Sequence, residues 1–172
     1  MKRTVLMLAL LVPIAAGARA ESVTAAKDAK APQFTLQDQY EKTVSLRQYE
    51  GRVVVLIASD KEGRPQNSAW IKAVRESYAD RVVVQGIADV SSVPFFLKGK
   101  IRNDFKKDGE SVLMDWNGDV FQAYGLAPKV SNVVLIDTLG TIRFRHAGPA
   151  DPDALKRLFQ AVELAGGPSA GR

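Results

Sequence analysis

The chain has 172 residues, with 24 Lys and Arg against 19 Asp and Glu, one His, no Cys and a net charge of +5. Without a thiol, cysteine nucleophiles, disulfides and iron–sulfur clusters are excluded, and a lone histidine cannot build an intrachain multi-histidine zinc site. A serine–histidine pair stays open, because one histidine suffices for it.

Lys2 and Arg3 precede an apolar run from Val5 to Ala16, and Ala18-Arg19-Ala20 offers small residues where a signal peptidase reads them. This pattern predicts a secretory signal peptide over residues 1–20, cleaved before Glu21, and hence a periplasmic or secreted protein. A membrane anchor is the alternative, but the run contains Pro13 and falls short of the roughly 20 apolar residues that cross a bilayer. Cleavage removes Lys2, Arg3 and Arg19 and no acidic residue, lowering the net charge from +5 to +2. So nearly neutral a domain does not advertise the basic stripe of a nucleic-acid binder.

Residues 21–31 are small, charged and aperiodic and read as a flexible lead-in, with order beginning near Pro32. Phe34 and Leu36, then Val44 and Leu46, alternate with polar neighbours and predict a short strand pair. The unbroken run Val53 to Ala58 predicts a strand buried on both faces. After the polar stretch Asp60 to Gln66, Trp70, Val74 and Tyr78 recur at four-residue spacing and predict a helix. Val82 to Ala88 is a second central strand, so the order is strand, helix, strand, a parallel crossover.

From Pro94 to Lys107 a helix is expected with Leu97, Ile101 and Phe105 on one face and Lys98, Lys100, Arg102, Lys106 and Lys107 over most of the rest. Ser111 to Asp115 reads as a strand, Asn117-Gly118 as a turn, and Val120 to Tyr124 as a short helix ended by Gly125. Ser131 to Asp137 and Thr141 to His146 flank a hairpin turn, and Leu155, Leu158, Phe159 and Val162 mark a closing helix before a tail from residue 166.

A crossover followed by a hairpin and a final helix is the order of the thioredoxin-like fold, and several segments resemble its peroxiredoxin and TlpA-like redoxin branch. They are Phe34-Thr35-Leu36 with Val44-Ser45-Leu46, Tyr49 to Leu56, Asp115-Trp116-Asn117-Gly118 with Ala123-Tyr124-Gly125-Leu126, and Val134 to Asp137 with Gly140 to Arg143. The resemblance implies an α/β domain over residues 32–165, with a central mixed sheet of about five strands flanked by helices. It also implies that the two catalytic cysteine positions fall at about Gly63 and Gln66, and that a cis-proline position falls at Ser131. Sulfur and proline are both absent here, and an ordinary trans bond is expected before Ser131. Cysteine-free exported relatives of this kind resemble the YtfJ family.

The candidate ligand loop is therefore a degenerate active-site position: Ser59, Asp60, Gly63, Arg64 and Gln66, with Ser131. It lies beyond the carboxyl end of a parallel strand and at a helix start, where Arg64 and free backbone N–H groups could hold a carboxylate or phosphate. A retained scaffold loop without a ligand is the alternative. His146 could serve Ser131 as a base, although its place at a strand end fits a surface histidine. Asp115, Asn117 and Asp119 alternate like a calcium loop but lack its glycine and distal glutamate.

The cations Lys98, Lys100, Arg102, Lys106 and Lys107 are a candidate basic docking face for an acidic partner or anionic headgroups, with a solvated helix face as the alternative. Trp70 and Trp116 read as core or edge aromatics. No catalytic residue, metal or cofactor is predicted. The expected function is a non-redox binding or adaptor module with a protein partner in the cell envelope. An enzyme using Ser59, Asp60, Arg64 or Ser68, or a redox-assembly subunit acting through partners, is the alternative.

Overall fold

A computed structural model of the chain describes residues 28–166, so the expected signal peptide and most of the tail lie outside the described residues. The β-branched run forms strand β3 (Val53–Ser59), in which all seven residues are buried. It pairs in parallel with β4 (Val82–Asp89), placing Val55 opposite Val84, and antiparallel with β6 (Asn132–Ile136), placing Val55 opposite Leu135. Successive side chains of β3 point to opposite faces. Val54, Leu56 and Ala58 enter a core with Phe34, Leu46 and Phe121, while Val53, Val55 and Ile57 enter another with Trp70, Val74 and Leu158.

The crossover from β3 to β4 runs through α1 (Asn67–Tyr78), whose Trp70, Val74 and Tyr78 are all buried at the predicted four-residue spacing. α2 (Lys98–Lys106) follows β4 and packs Phe105 against Ala88, Val90 and Met114. β5 (Val112–Asp115) pairs in parallel with β4, and β6 pairs antiparallel with β7 (Ile142–Ala147). The chain closes with α4 (Pro152–Ala165), capped by the Asp151 carboxylate, which accepts the Ala154 N–H at 2.8 Å.

The sheet has seven strands rather than about five, in the order β2-β1-β5-β4-β3-β6-β7. The extra pair is the expected hairpin, β1 (Thr35–Asp38) and β2 (Thr43–Ser45), which docks antiparallel on β5 with Gln37 opposite Met114. Residues 28–31, placed in the lead-in by composition, run beside β7. Asp28 N–H donates to the Ile142 carbonyl at 2.8 Å, Lys30 bridges to Thr141, and Ala31 is buried. No helix among the described residues is long and apolar enough to cross a membrane.

The Asp115-Trp116-Asn117-Gly118 segment is a capping device rather than a calcium loop. It opens α3 (Asp119–Tyr124), which ends at Gly125 as predicted. The buried Asp115 carboxylate accepts the N–H groups of Asp119, Val120 and Phe121 at 3.1, 2.9 and 3.1 Å. Burial raises the Asp115 pKa above the usual carboxylate range, with those N–H groups pulling against it. Gly118, at φ 76°, supplies the left-handed turn that brings the helix start back over this carboxylate. Asp115→Ala would leave the buried N–H groups of Val120 and Phe121, and the partly buried one of Asp119, without an acceptor. Urea denaturation is expected to show a loss of about 2 kcal/mol, with the slope unchanged.

Candidate functional site

The chain leaves β3 at Ser59, forms a 3₁₀ turn at Arg64–Gln66 and enters α1 at Asn67. Ser59 is buried, and its hydroxyl accepts a hydrogen bond from the Asn67 amide at 2.7 Å, so it presents no nucleophile to solvent. Asp60 fastens the loop from both sides. One carboxylate oxygen accepts the Gly63 N–H at 2.8 Å and the other accepts the Lys129 N–H at 2.6 Å. The Gln66 side-chain carbonyl accepts the Ser131 N–H at 3.1 Å. The loop after β3 and the segment leading into β6 are thus stitched together at the positions to which the redoxin resemblance assigns two cysteines and a proline.

Gly63 lies at the centre of this seam. Its backbone is helical, at φ −76° and ψ −21°, so its conformation does not require glycine. Its surroundings do: a Cβ at residue 63 would sit 2.3 Å from the Val130 carbonyl oxygen and 2.4 Å from its carbon. The space a side chain at residue 63 would need, the first cysteine position by the redoxin resemblance, is therefore filled by the neighbouring backbone. Lys129 holds a left-handed φ of 64°, a strained conformation for a residue with a side chain, and its N–H is the one Asp60 binds. Ser131 follows a trans bond, as expected, since no cis peptide occurs among the described residues.

The N–H groups expected to be free are largely occupied. Gly63 donates to the Asp60 carboxylate, Arg64 to the Asp60 carbonyl and Gln66 to the Gly63 carbonyl. Nor is Arg64 waiting for an anion. Its guanidinium forms an ion pair with Asp108 and sits 4.3 Å from the centroid of the Phe105 ring, fastening the turn ahead of α1 to the end of α2. Ser68 is exposed and stands apart from these bonds.

Ser131 and His146 fall on the α1 side of the sheet but share no hydrogen bond. Ser131 is fully buried with its hydroxyl unpartnered, and so are the Asn67 side-chain oxygen and His146 Nε2. His146 is half-buried rather than a surface residue, with its ring centroid 5.3 Å from that of Trp70. Trp70 is fully buried and donates to the Gly148 carbonyl at 3.1 Å. The arrangement offers a stitched loop and a buried polar end to the core, with no nucleophile paired to a base.

The five cations of the α2 segment do not form a free array. Lys100 and Lys107 both bind Asp104 at 2.8 Å, and these two hydrogen bonds pull the Asp104 pKa down to about 2. Arg102 is mostly covered, pairs with Glu41 at 3.2 Å and lies 5.5 Å from the Trp116 ring centroid. Lys98 lies 4.9 Å from the same centroid, and Lys106 lies 5.9 Å from that of Tyr40. Sequence reasoning missed Phe95 and Phe96, which are 81% and 70% exposed just ahead of these cations. The signal available was a pair of adjacent aromatics lying off the Leu97, Ile101, Phe105 stripe.

Gly63→Ala distinguishes contact from conformation. In an open helical turn the change stabilises a protein by about 0.4–1 kcal/mol, whereas overpacking against the Val130 backbone costs about 1–3 kcal/mol. Thermal and urea unfolding are expected to show the loss.

The sequence matches the model of the AhpC/TSA family over residues 28–145. No curated protein matches the chain. Among solved structures, a candidate thiol:disulfide interchange protein DsbE from Chlorobium tepidum is 24% identical, with a TM-score of 0.66 over 83% of this chain and 99% of that one. The exposed lipoprotein thioredoxin Etrx1 of Streptococcus pneumoniae strain TIGR4 is 20% identical, with a TM-score of 0.62 over 77% of this chain and 99% of its own. A thioredoxin-family thiol:disulfide interchange protein from Chlorobium tepidum TLS is 18% identical, with a TM-score of 0.60 over 83% and 99%. These likenesses establish the thioredoxin-like fold, and the match over most of the described residues places the chain in the AhpC/TSA family.

Proposed function

We propose that this protein is an exported member of its family that has given up thiol chemistry and acts as a non-redox binding or adaptor module in the cell envelope, in the manner of YtfJ-type proteins. The observation that carries the reading is the seam at Gly63. A thiol–disulfide site needs a reactive sulfur at the helix start and an open approach to it. Here the sequence has no sulfur in any cysteine, and Val130 occupies the space that a side chain at residue 63 would need. The bonds from Asp60 to Lys129 and from Gln66 to Ser131 favour a rigid surface over a reactive cleft.

The export half of the reading rests on the Lys2-Arg3, apolar run and Ala18-Arg19-Ala20 pattern. Fractionation of cells expressing the full chain is expected to recover it outside the cytoplasm, with Glu21 as the first residue on N-terminal sequencing. An intact cytoplasmic chain would refute export.

The non-redox half is tested separately, by peroxide consumption and insulin reduction with the purified protein. Both rates are expected to equal those of a heat-inactivated control. Turnover above that control would restore the enzyme alternative.

A further inference from the structure

The strand β4 ends at Asp89, and the chain then crosses Ser91 and Ser92 to a three-residue 3₁₀ turn, Phe95–Leu97, before α2 begins. Phe95, Phe96 and Leu97 are all exposed, and the two phenyl rings touch only edge to face, at 5.7 Å. Single exposed apolar residues are ordinary, but three in succession are not. A 3₁₀ turn has three residues per turn, so these side chains leave the backbone about 120° apart. A groove on a protein partner reads one stripe of a helix, at three- and four-residue spacing. Phe95 and Phe96, largely exposed on different sides of the turn with the partly covered Leu97 beside them, suit a medium that accepts apolar groups from several sides, the acyl boundary of a bilayer.

The charges that follow match this medium. Lys98, Lys100, Arg102, Lys106 and Lys107 continue directly from the apolar turn, and among the described residues the carboxylates paired with them are only Asp104 and Glu41. Lys98 and Lys106 lie against aromatic rings rather than acids. We propose that the Phe95–Leu97 turn and the cations of α2 dock the folded domain on an anionic phospholipid surface, the phenyl rings entering the interface while Lys98, Lys100, Lys106 and Lys107 meet the phosphates. This docking is independent of the adaptor reading, since it uses no residue of the Gly63 seam.

The absence of native cysteine makes the test local. Phe96→Cys and, as a control on the exposed hairpin turn between β6 and β7, Leu139→Cys are each introduced into the full chain and labelled with an environment-sensitive nitrobenzoxadiazole probe. Vesicles of phosphatidylethanolamine with phosphatidylglycerol are expected to brighten and blue-shift the probe at residue 96 and leave that at residue 139 unchanged. Phosphatidylcholine vesicles should produce neither change. Adding Lys100→Gln, Lys106→Gln and Lys107→Gln to the Phe96 variant should weaken the response at least about tenfold in lipid concentration. A silent probe at residue 96, an equal response at both sites, or a response that survives the three neutralisations would overturn the proposal, and a silent probe would turn attention to an acidic protein partner. Because each probe reports its own position, attachment through the apolar N-terminal run cannot mimic the expected pattern.

Discussion

Burial of β3 on both faces is the constraint on which the molecule depends. A strand of seven buried residues has no solvent face, so both of its sides must be covered and both of its edges paired. β4 and β6 pair the edges, while α1 with α4 and α3 with the N-terminal segments cover the sides. The end of β3 is therefore fixed in space, and the loop at Ser59 starts from a point that cannot shift. That rigidity allows Gly63 to meet Val130 at backbone distance, a contact that a looser strand would relax.

The redoxin resemblance implies a reactive sulfur at such a strand end, where a helix N-terminus would stabilise a thiolate. In this chain the same location is a junction between halves of the sheet. From the loop and the 3₁₀ turn, Asp60, Gln66 and Arg64 each reach across to another segment, at Lys129, Ser131 and Asp108. Residues whose types invite a ligand reading thus serve as cross-braces. The family and the fold follow from the chain as a whole, whereas any chemistry has to be argued from this one loop.

How much the sequence disclosed depended on the range of the interactions involved. β3, α1, α3 and the β6–β7 hairpin were legible because each is specified by a local period or a turn residue. The pairing of β1 with β5 was not, because Gln37 and Met114 are distant in sequence and no local pattern records their contact. For the same reason the partners of Gly63 and Arg64 were invisible: glycine there looks like a loop breaker, and a lone arginine looks available. Phe95 and Phe96 escaped because three residues of 3₁₀ turn are too few to display a period. The cations of α2 were found, but their pairing with Asp104, Glu41 and two aromatic rings depended on side-chain placement that composition does not carry.

The short stretch at residues 28–31 bears on how one outer edge of the sheet is covered. A mixed sheet has two outer strands whose unpaired backbone groups can recruit another chain. On one side β2 is only three residues long, too short to template much pairing. On the other side Asp28 and Ala31 occupy backbone groups around the start of β7, and Lys30 and Arg143 place charge along that rim. The residues that look most like a linker thus cover the edge at the start of β7, and the sheet's protection from edge-to-edge pairing begins a few residues before its first regular element.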